Sequence, residues 1–423
     1  MKIRNSMMIM SAFALLLSMN TIASETETDA ADSVVPGVTV CEDPASDTGY
    51  TTTFVYENSE ASKVALTGNF AFFEPDKRIG AIPSEAVPVE DWVPGDFRAN
   101  STDLSADEPM SKIEGTNYWT ASLSLPSGHY TYNYRIDGAK ESVTDPANPP
   151  MKSSAKSGST AVLSTFDVPY SEKQGEDTIN FDFMLQHKDT PAGEITFADY
   201  TDVNGDQAPL AIYLPAGYDK NRSEPYPVIY LSHGGGGNEL EWFSSGNVNT
   251  VFDNMIAKGT VEPTIIVTMN NGVYEWDFDV IDHNVMEHII PFMEENYNIS
   301  KEPQGRAFAG LSMGSMTTNN MYYKEADKFG YFGMFSGSDA SADLSALDQK
   351  ALKSPVIMLG AGQYDMAYIN DTYHTDKAIG TLDILEKLDE AGIDYHFYEV
   401  QGGHDWSTWP QLIKIFAEKY LWK

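Results

Sequence analysis

The chain has a single cysteine, Cys41, among its 423 residues. An intrachain disulfide is therefore excluded, and buried apolar surface has to hold the fold together. Positive charge is scarce: 27 Lys and Arg stand against 62 Asp and Glu, a formal net charge of -35. Such a surface argues against nucleic acid, anionic membranes and polyanionic substrates as partners. Salt screens a field of this kind within about 8–10 Å, so the acidity fits solubility in a salty medium as readily as a substrate preference. Long apolar runs are missing too. No segment offers about 18 uninterrupted apolar residues, which leaves no membrane-spanning anchor. No His/Cys cluster has the spacing of a metal site.

What is present begins with Lys2 and Arg4 ahead of an apolar run through Phe13, Leu15, Leu16 and Leu17, then small residues at Thr21, Ala23 and Ser24. That order predicts a secretory signal over residues 1–24, cleaved between Ala23 and Glu25, and hence a periplasmic or extracellular protein. Residues 25–49 carry many acidic and small residues and few large apolar ones, which predicts a flexible leader. Cys41 falls inside it and lacks the small-residue context of a lipid anchor.

Between residues 50 and 170 the pattern is period-two alternation, as in Thr52-Thr53-Phe54-Val55-Tyr56 and Tyr130-Thr131-Tyr132-Asn133-Tyr134, punctuated by Ser127-Gly128 and Asp137-Gly138. A small all-β sandwich follows, with residues 73–112 as a long acidic insertion loop and the proline-rich residues 144–150 as its closing turn. From residue 180 to 423, strands alternate with amphipathic helices, the signature of a doubly wound, mostly parallel sheet covered on both faces. Candidate strands are residues 210–214, 228–231, 264–268, 307–310, 356–359 and 395–400. Val285, Ile289, Phe292 and Met293 predict a helix over 285–297.

Gly310-Leu311-Ser312-Met313-Gly314 fits G-x-S-x-G between an apolar strand and a helix-compatible stretch, the context that motif requires. Side chains two residues to either side of the serine would collide in the strained turn, so Gly310 and Gly314 stand there. Alone the pentapeptide is weak evidence; two partners give it weight. Strand 228–231 runs into Ser232-His233-Gly234-Gly235-Gly236-Gly237, whose amides can face a carbonyl oxygen, and Gly235 and Met313 are the expected oxyanion donors. A phosphate cradle is excluded, since no Lys-Ser/Thr pair follows the glycines. Gly402-Gly403-His404-Asp405-Trp406 follows the last strand, and His404 is the expected base. His396 sits inside a strand, and His374 has no glycine hinge. Asp365, after Gly360-Ala361-Gly362, is the expected acid, with Asp339, Asp371 and Asp376 as neighbouring competitors. Trp242, Trp406 and Trp409 lie next to these loops and could bind a substrate ring or simply pack the core.

These motifs, with Tyr213-Leu214-Pro215-Ala216-Gly217-Tyr218 and Gly403-His404-Asp405-Trp406 ahead of Trp409, resemble the esterase family that contains feruloyl and acetylxylan esterases of carbohydrate esterase family one and enterochelin esterases. The resemblance covers about residues 180–423. The preceding region is similar to the early-set immunoglobulin-like module found ahead of such enzymes. The resemblance implies an α/β-hydrolase fold, a triad of Ser312, Asp365 and His404, and no metal or organic cofactor. It also implies a small ester or an ester-decorated polysaccharide as substrate. Ser315 and Met316 depart from the Gly or Ala usual after the elbow. Siderophore ester hydrolysis is the rival activity, disfavoured by the shortage of Arg and Lys for an anionic ferric complex. A carbohydrate-binding protein with an inert hydrolase domain is the alternative from another class. Nothing in the sequence speaks to oligomeric state.

Overall fold

Residues 34–74, 86–98, 107–365 and 381–423 are described by the structure, a computed structural model. The expected signal at 1–24, and with it His374, Asp371 and Asp376, lie outside the described residues.

The site stands on an eight-stranded sheet. In spatial order its strands are Glu194–Thr201, Gln207–Leu214, Ile265–Met269, Val228–Ser232, Arg306–Leu311, Tyr331–Phe335, Val356–Gly362 and His396–Val400. The first two pair antiparallel with each other, the second pairs antiparallel with the third, and every later pairing is parallel. This is the α/β-hydrolase arrangement. The inner strands read as continuous apolar runs because both of their faces are covered. One face packs Tyr230, Val267, Phe308, Phe332 and Leu359. The other packs Ile229, Leu231, Ile266, Ala307 and Met358 against helices that include Val248–Ala257 and Trp409–Lys419.

Two strands escape the pattern reading. Glu194–Thr201 is an edge strand whose buried residue is Tyr200 alone. Tyr331–Phe335 contains Gly333, where a Cβ would lie 2.9 Å from that of Ala309, so close strand packing excludes a side chain there. The helix expected over 285–297 is longer: it runs as Phe278–Asn284 and Ile290–Asn296 with a π turn, Val285–Ile289, between them.

The amino-terminal part is a sandwich of two four-stranded antiparallel sheets around Phe54, Leu66, Tyr130, Tyr132, Tyr134 and Phe166. The expectation of a flexible leader through residue 49 is corrected. Gly37–Glu42 is an edge strand paired with Tyr50–Glu57, from Gly37 opposite Val55 to Glu42 opposite Tyr50. Backbone pairing and the alternate residues Val38 and Val40 on the core order a segment too poor in apolar residues to fold alone. Cys41 is an exposed free thiol on that strand, so it is not a linker residue. The module also does not close at Pro150, since Ser164–Val168 returns to pair with Gly128–Ile136. Where it is described, the insertion carries short strand pairings and a 3-10 turn, Val89–Asp91. Phe72–Phe73 pairs with Phe97–Arg98, Glu108–Pro109 with Val64–Gly68, and Ser111–Lys112 with Tyr118–Leu123. The described residues from Val35 to Lys423 form one compact unit. Among the described residues no helix is long and apolar enough to cross a membrane.

Candidate active site

Ser312 occupies the single residue between strand Arg306–Leu311 and helix Met313–Glu325, with φ 52° and ψ −119°. A positive φ on a residue with a Cβ is strained, and here the flanking chain enforces it. A Cβ on Gly310 would lie 2.2 Å from the Gly314 carbonyl oxygen, and one on Gly314 would lie 2.4 Å from that of His233. Both glycines let the helix start press against the strand ends. The Ser312 amide donates to the Phe335 carbonyl at 2.9 Å, which anchors the bend.

The three residues singled out for chemistry form one chain. His404 Nε2 lies 2.9 Å from Ser312 Oγ, and its Nδ1 lies 2.9 Å from Asp365 Oδ1. A carboxylate only accepts, so Nδ1 carries the proton and Nε2 is left to accept from the serine hydroxyl. Asp365 is fully buried behind strand Val356–Gly362, while His404 is largely buried. Burial pushes the His404 imidazole down, but the charge and hydrogen bond of Asp365, with Asp405 beyond, outweigh it and hold the group above its ordinary 6.5. The competitor Asp339 instead accepts from the Ser341 amide in its own turn, and His396 stacks on Tyr420 at an exposed strand position.

The glycine-rich loop is fixed from behind. His233 is buried; its Nδ1 donates to the Gly234 carbonyl at 2.6 Å, and its Nε2 accepts from the Asn271 amide at 3.0 Å. Burial pushes this imidazole down to about 4, so it stays neutral and serves as a brace. Gly234 and Gly235 line the cleft with Ser312, and a Cβ on Gly235 would sit 3.6 Å from Met313 Cγ. The glycine loop therefore packs against the start of the helix that follows Ser312. Among the described residues neither the Gly235 nor the Met313 amide is engaged by a backbone hydrogen bond.

The tryptophans divide. Trp406 and Trp409 line the cleft, with Trp409 edge-on to His404 at 5.4 Å and its indole donating to Ser336 Oγ. Trp242 does not line it: it is fully buried, donates to the Ser232 carbonyl at 3.0 Å and meets Trp406 edge-on at 5.4 Å. The expectation that Trp242 binds substrate is corrected to one of support: the Trp406 ring meets it edge-on, and at Gly246 a Cβ would lie 2.6 Å from that ring.

Sequence reasoning missed part of the cleft. Asn69, His129, Thr131 and Leu163 come from the sandwich, and Glu241 and Ser245 from the segment after the glycine loop. Only their fold neighbours place them there. Burial alone pushes the Glu241 carboxyl up to about 7. The insertion also reaches the acid, since Phe97 stacks on Tyr364 with ring centres 4.1 Å apart. Among the described residues no group of three His, Cys, Asp or Glu could hold a metal ion.

A family model described as "Putative esterase" matches residues 202–418, half of the chain, a span that includes Ser312, Asp365 and His404. The chain belongs to this esterase family. It is 27% identical over 317 residues to an endo-1,4-beta-xylanase/feruloyl esterase of Xylanibacter ruminicola, covering 71% of this chain and 39% of that protein. It is 29% identical over 239 residues to endo-1,4-beta-xylanase Y of Acetivibrio thermocellus, covering 51% and 22%. The chain thus spans well under half the length of these relatives. Among solved structures, the enterobactin esterase of Shigella flexneri aligns with a TM-score of 0.53 at 14% identity, covering 94% of this esterase-family chain and 98% of that one. That likeness is one of fold, sandwich included.

Proposed function

We propose that this protein is a secreted serine carboxylic ester hydrolase that removes feruloyl or acetyl groups from polysaccharide. The observation that carries the reading is the unbroken chain from Ser312 Oγ through His404 to Asp365, at 2.9 Å and 2.9 Å, opening on a cleft. In this mechanism Ser312 Oγ attacks the ester carbonyl carbon while His404 Nε2 takes its proton. The carbonyl oxygen, now negative, is met by the Gly235 and Met313 amides at the positive end of the following helix. The C–O bond to the alcohol breaks, and His404 returns the proton to the leaving oxygen. Water then repeats the sequence on the acyl-serine, releasing the acid and restoring the hydroxyl. Asp365 holds the imidazole in one tautomer and faces the imidazolium as it forms.

The substrate class draws support from the relative named as a feruloyl esterase and from the shape of the cleft. A cavity of about 190 Å³ with Trp406 and Trp409 in its wall suits one ring-sized group. Neither Arg nor Lys lines it among the described residues, which speaks against an anionic ferric complex. The test is hydrolysis of chromogenic acetyl, butyryl and feruloyl esters by the wild type and Ser312→Ala. Equal turnover by both proteins removes Ser312 from the mechanism.

A further inference from the structure

The cleft holds polar groups that the ester chemistry does not use. Asn69 and Thr131 reach it from the sandwich, and Glu241 and Ser245 from the hydrolase. The Asn69 side-chain oxygen accepts from the Thr131 amide at 2.9 Å. The Asn69 amide donors, the Thr131 and Ser245 hydroxyls and the Glu241 carboxyl have no hydrogen-bond partner among the described residues. A partly buried carboxyl left without a cation or a donor is costly, and such groups are ordinarily satisfied by a ligand or by water.

The walls carrying these groups are locked together. His129 is buried in the sandwich, with Nδ1 2.7 Å from Asp167 and Nε2 donating to the Ser244 carbonyl at 2.8 Å. Ser244 belongs to the short helix Glu241–Ser244, and Ser245 follows it. The Ser159 amide and hydroxyl add a second clamp on Glu239, two residues before Glu241. Donors from one layer and acceptors from the other are thereby held in fixed register.

We infer that Glu241, Asn69, Thr131 and Ser245 form a hydrogen-bonding subsite for a neutral, hydroxyl-bearing group of the ester substrate, and that Glu241 disfavours esters carrying negative charge there. A cation would satisfy the carboxyl but leave the Asn69 donors unmet. A hydroxyl both donates and accepts, and so matches all four groups. The sandwich is then a wall of the substrate site, not a separate binding module. The inference rests on the ester-hydrolase reading above. A sugar hydroxyl on the alcohol side and a phenolic hydroxyl on the acyl side share this chemistry.

Paired esters separate the two sources. Methyl ferulate is compared with methyl dimethoxycinnamate, which lacks the phenolic hydroxyl, and an O-acetyl xyloside with cyclohexyl acetate, which lacks the sugar hydroxyls. The wild type is expected to prefer the hydroxylated member of one pair. Glu241→Gln and Thr131→Val should each cut that preference, roughly tenfold for the carboxyl, chiefly through KM. At a pH above about 7, where the Glu241 carboxyl is ionised, Glu241→Gln should also raise turnover of a carboxylate-bearing ester relative to its neutral counterpart. Two variants, each checked by thermal melting, keep the result independent of one misfolded protein. Ser312-dependent turnover with ratios unchanged in both variants overturns the subsite and leaves the ester chemistry standing. No Ser312-dependent turnover of any ester overturns both.

Discussion

Replacing Asp365 by Asn tests the relay at its most buried point. The carboxylate is fully buried and lies 2.9 Å from His404 Nδ1, so no water can take over its role without repacking. Asparagine keeps the shape and removes the charge. Its amide can also turn its NH2 toward Nδ1, which moves the imidazole proton to Nε2 and aims it at Ser312 Oγ, the wrong way round for a base. The expected loss in kcat is about 10³–10⁴-fold, equivalent to about 4–5.5 kcal/mol.

The pH profile carries a second, independent signature of the same change. Neutral His404 is the active form, so activity falls as pH drops through its pKa. Burial pushes that pKa down, and Asp365 is the main group holding it above 6.5. Without the charge burial prevails, and the acidic limb of kcat/KM moves to lower pH. The assay is kcat/KM on a chromogenic acetyl ester across the acid and neutral range, with active sites counted by burst titration. A loss below tenfold, or an acidic limb that stays in place or moves up, would refute the role given to Asp365.

Gly314→Ala should abolish ester turnover, since its Cβ would lie 2.4 Å from the His233 carbonyl oxygen and 2.5 Å from that of Ser232, both backbone atoms of the loop that carries Gly235; a variant with near wild-type kcat contradicts the packing argument. Trp242→Phe leaves the buried Ser232 carbonyl without its indole donor and should cost roughly 1–3 kcal/mol in denaturant melts, with the effect on KM secondary; a large rise in KM at unchanged stability would return Trp242 to the substrate site. Phe97→Ala removes the ring stacked on Tyr364, next in sequence to Asp365, and should cost roughly 3–5 kcal/mol of stability and lower kcat several-fold. Wild-type melting and kcat in that variant would detach the insertion from the acid loop.

The proposed chemistry was legible in one dimension because its devices are local. A strained turn between strand and helix needs glycines two residues either side of the serine, and the imidazole arrives on a Gly-Gly hinge after the last strand; both requirements are written within a few residues. Asp365 was harder. Asp371 and Asp376 follow the same strand and Asp339 the one before it, and what separates Asp365 from Asp339 is only that its side chain is buried against His404 while Asp339 caps its own turn.

The amino-terminal third shows the opposite case. Its alternation announced strands, yet Gly37–Glu42 is held by pairing with Tyr50–Glu57 more than by its own composition, so no local reading could order it. Trp242 and Trp406 looked equivalent beside the catalytic loops, and one is core while the other faces the cleft.

The sequence by itself determined the fold class and singled out Ser312, His404 and the glycine loop, which the structure brings to one cleft, since periodicity and turn strain act over a few residues. Only the tertiary structure decided which carboxylate lies against His404 and that the sandwich walls the cleft. Asn69, Thr131 and Glu241 are far apart along the chain, and their meeting depends on how two separately patterned layers pack.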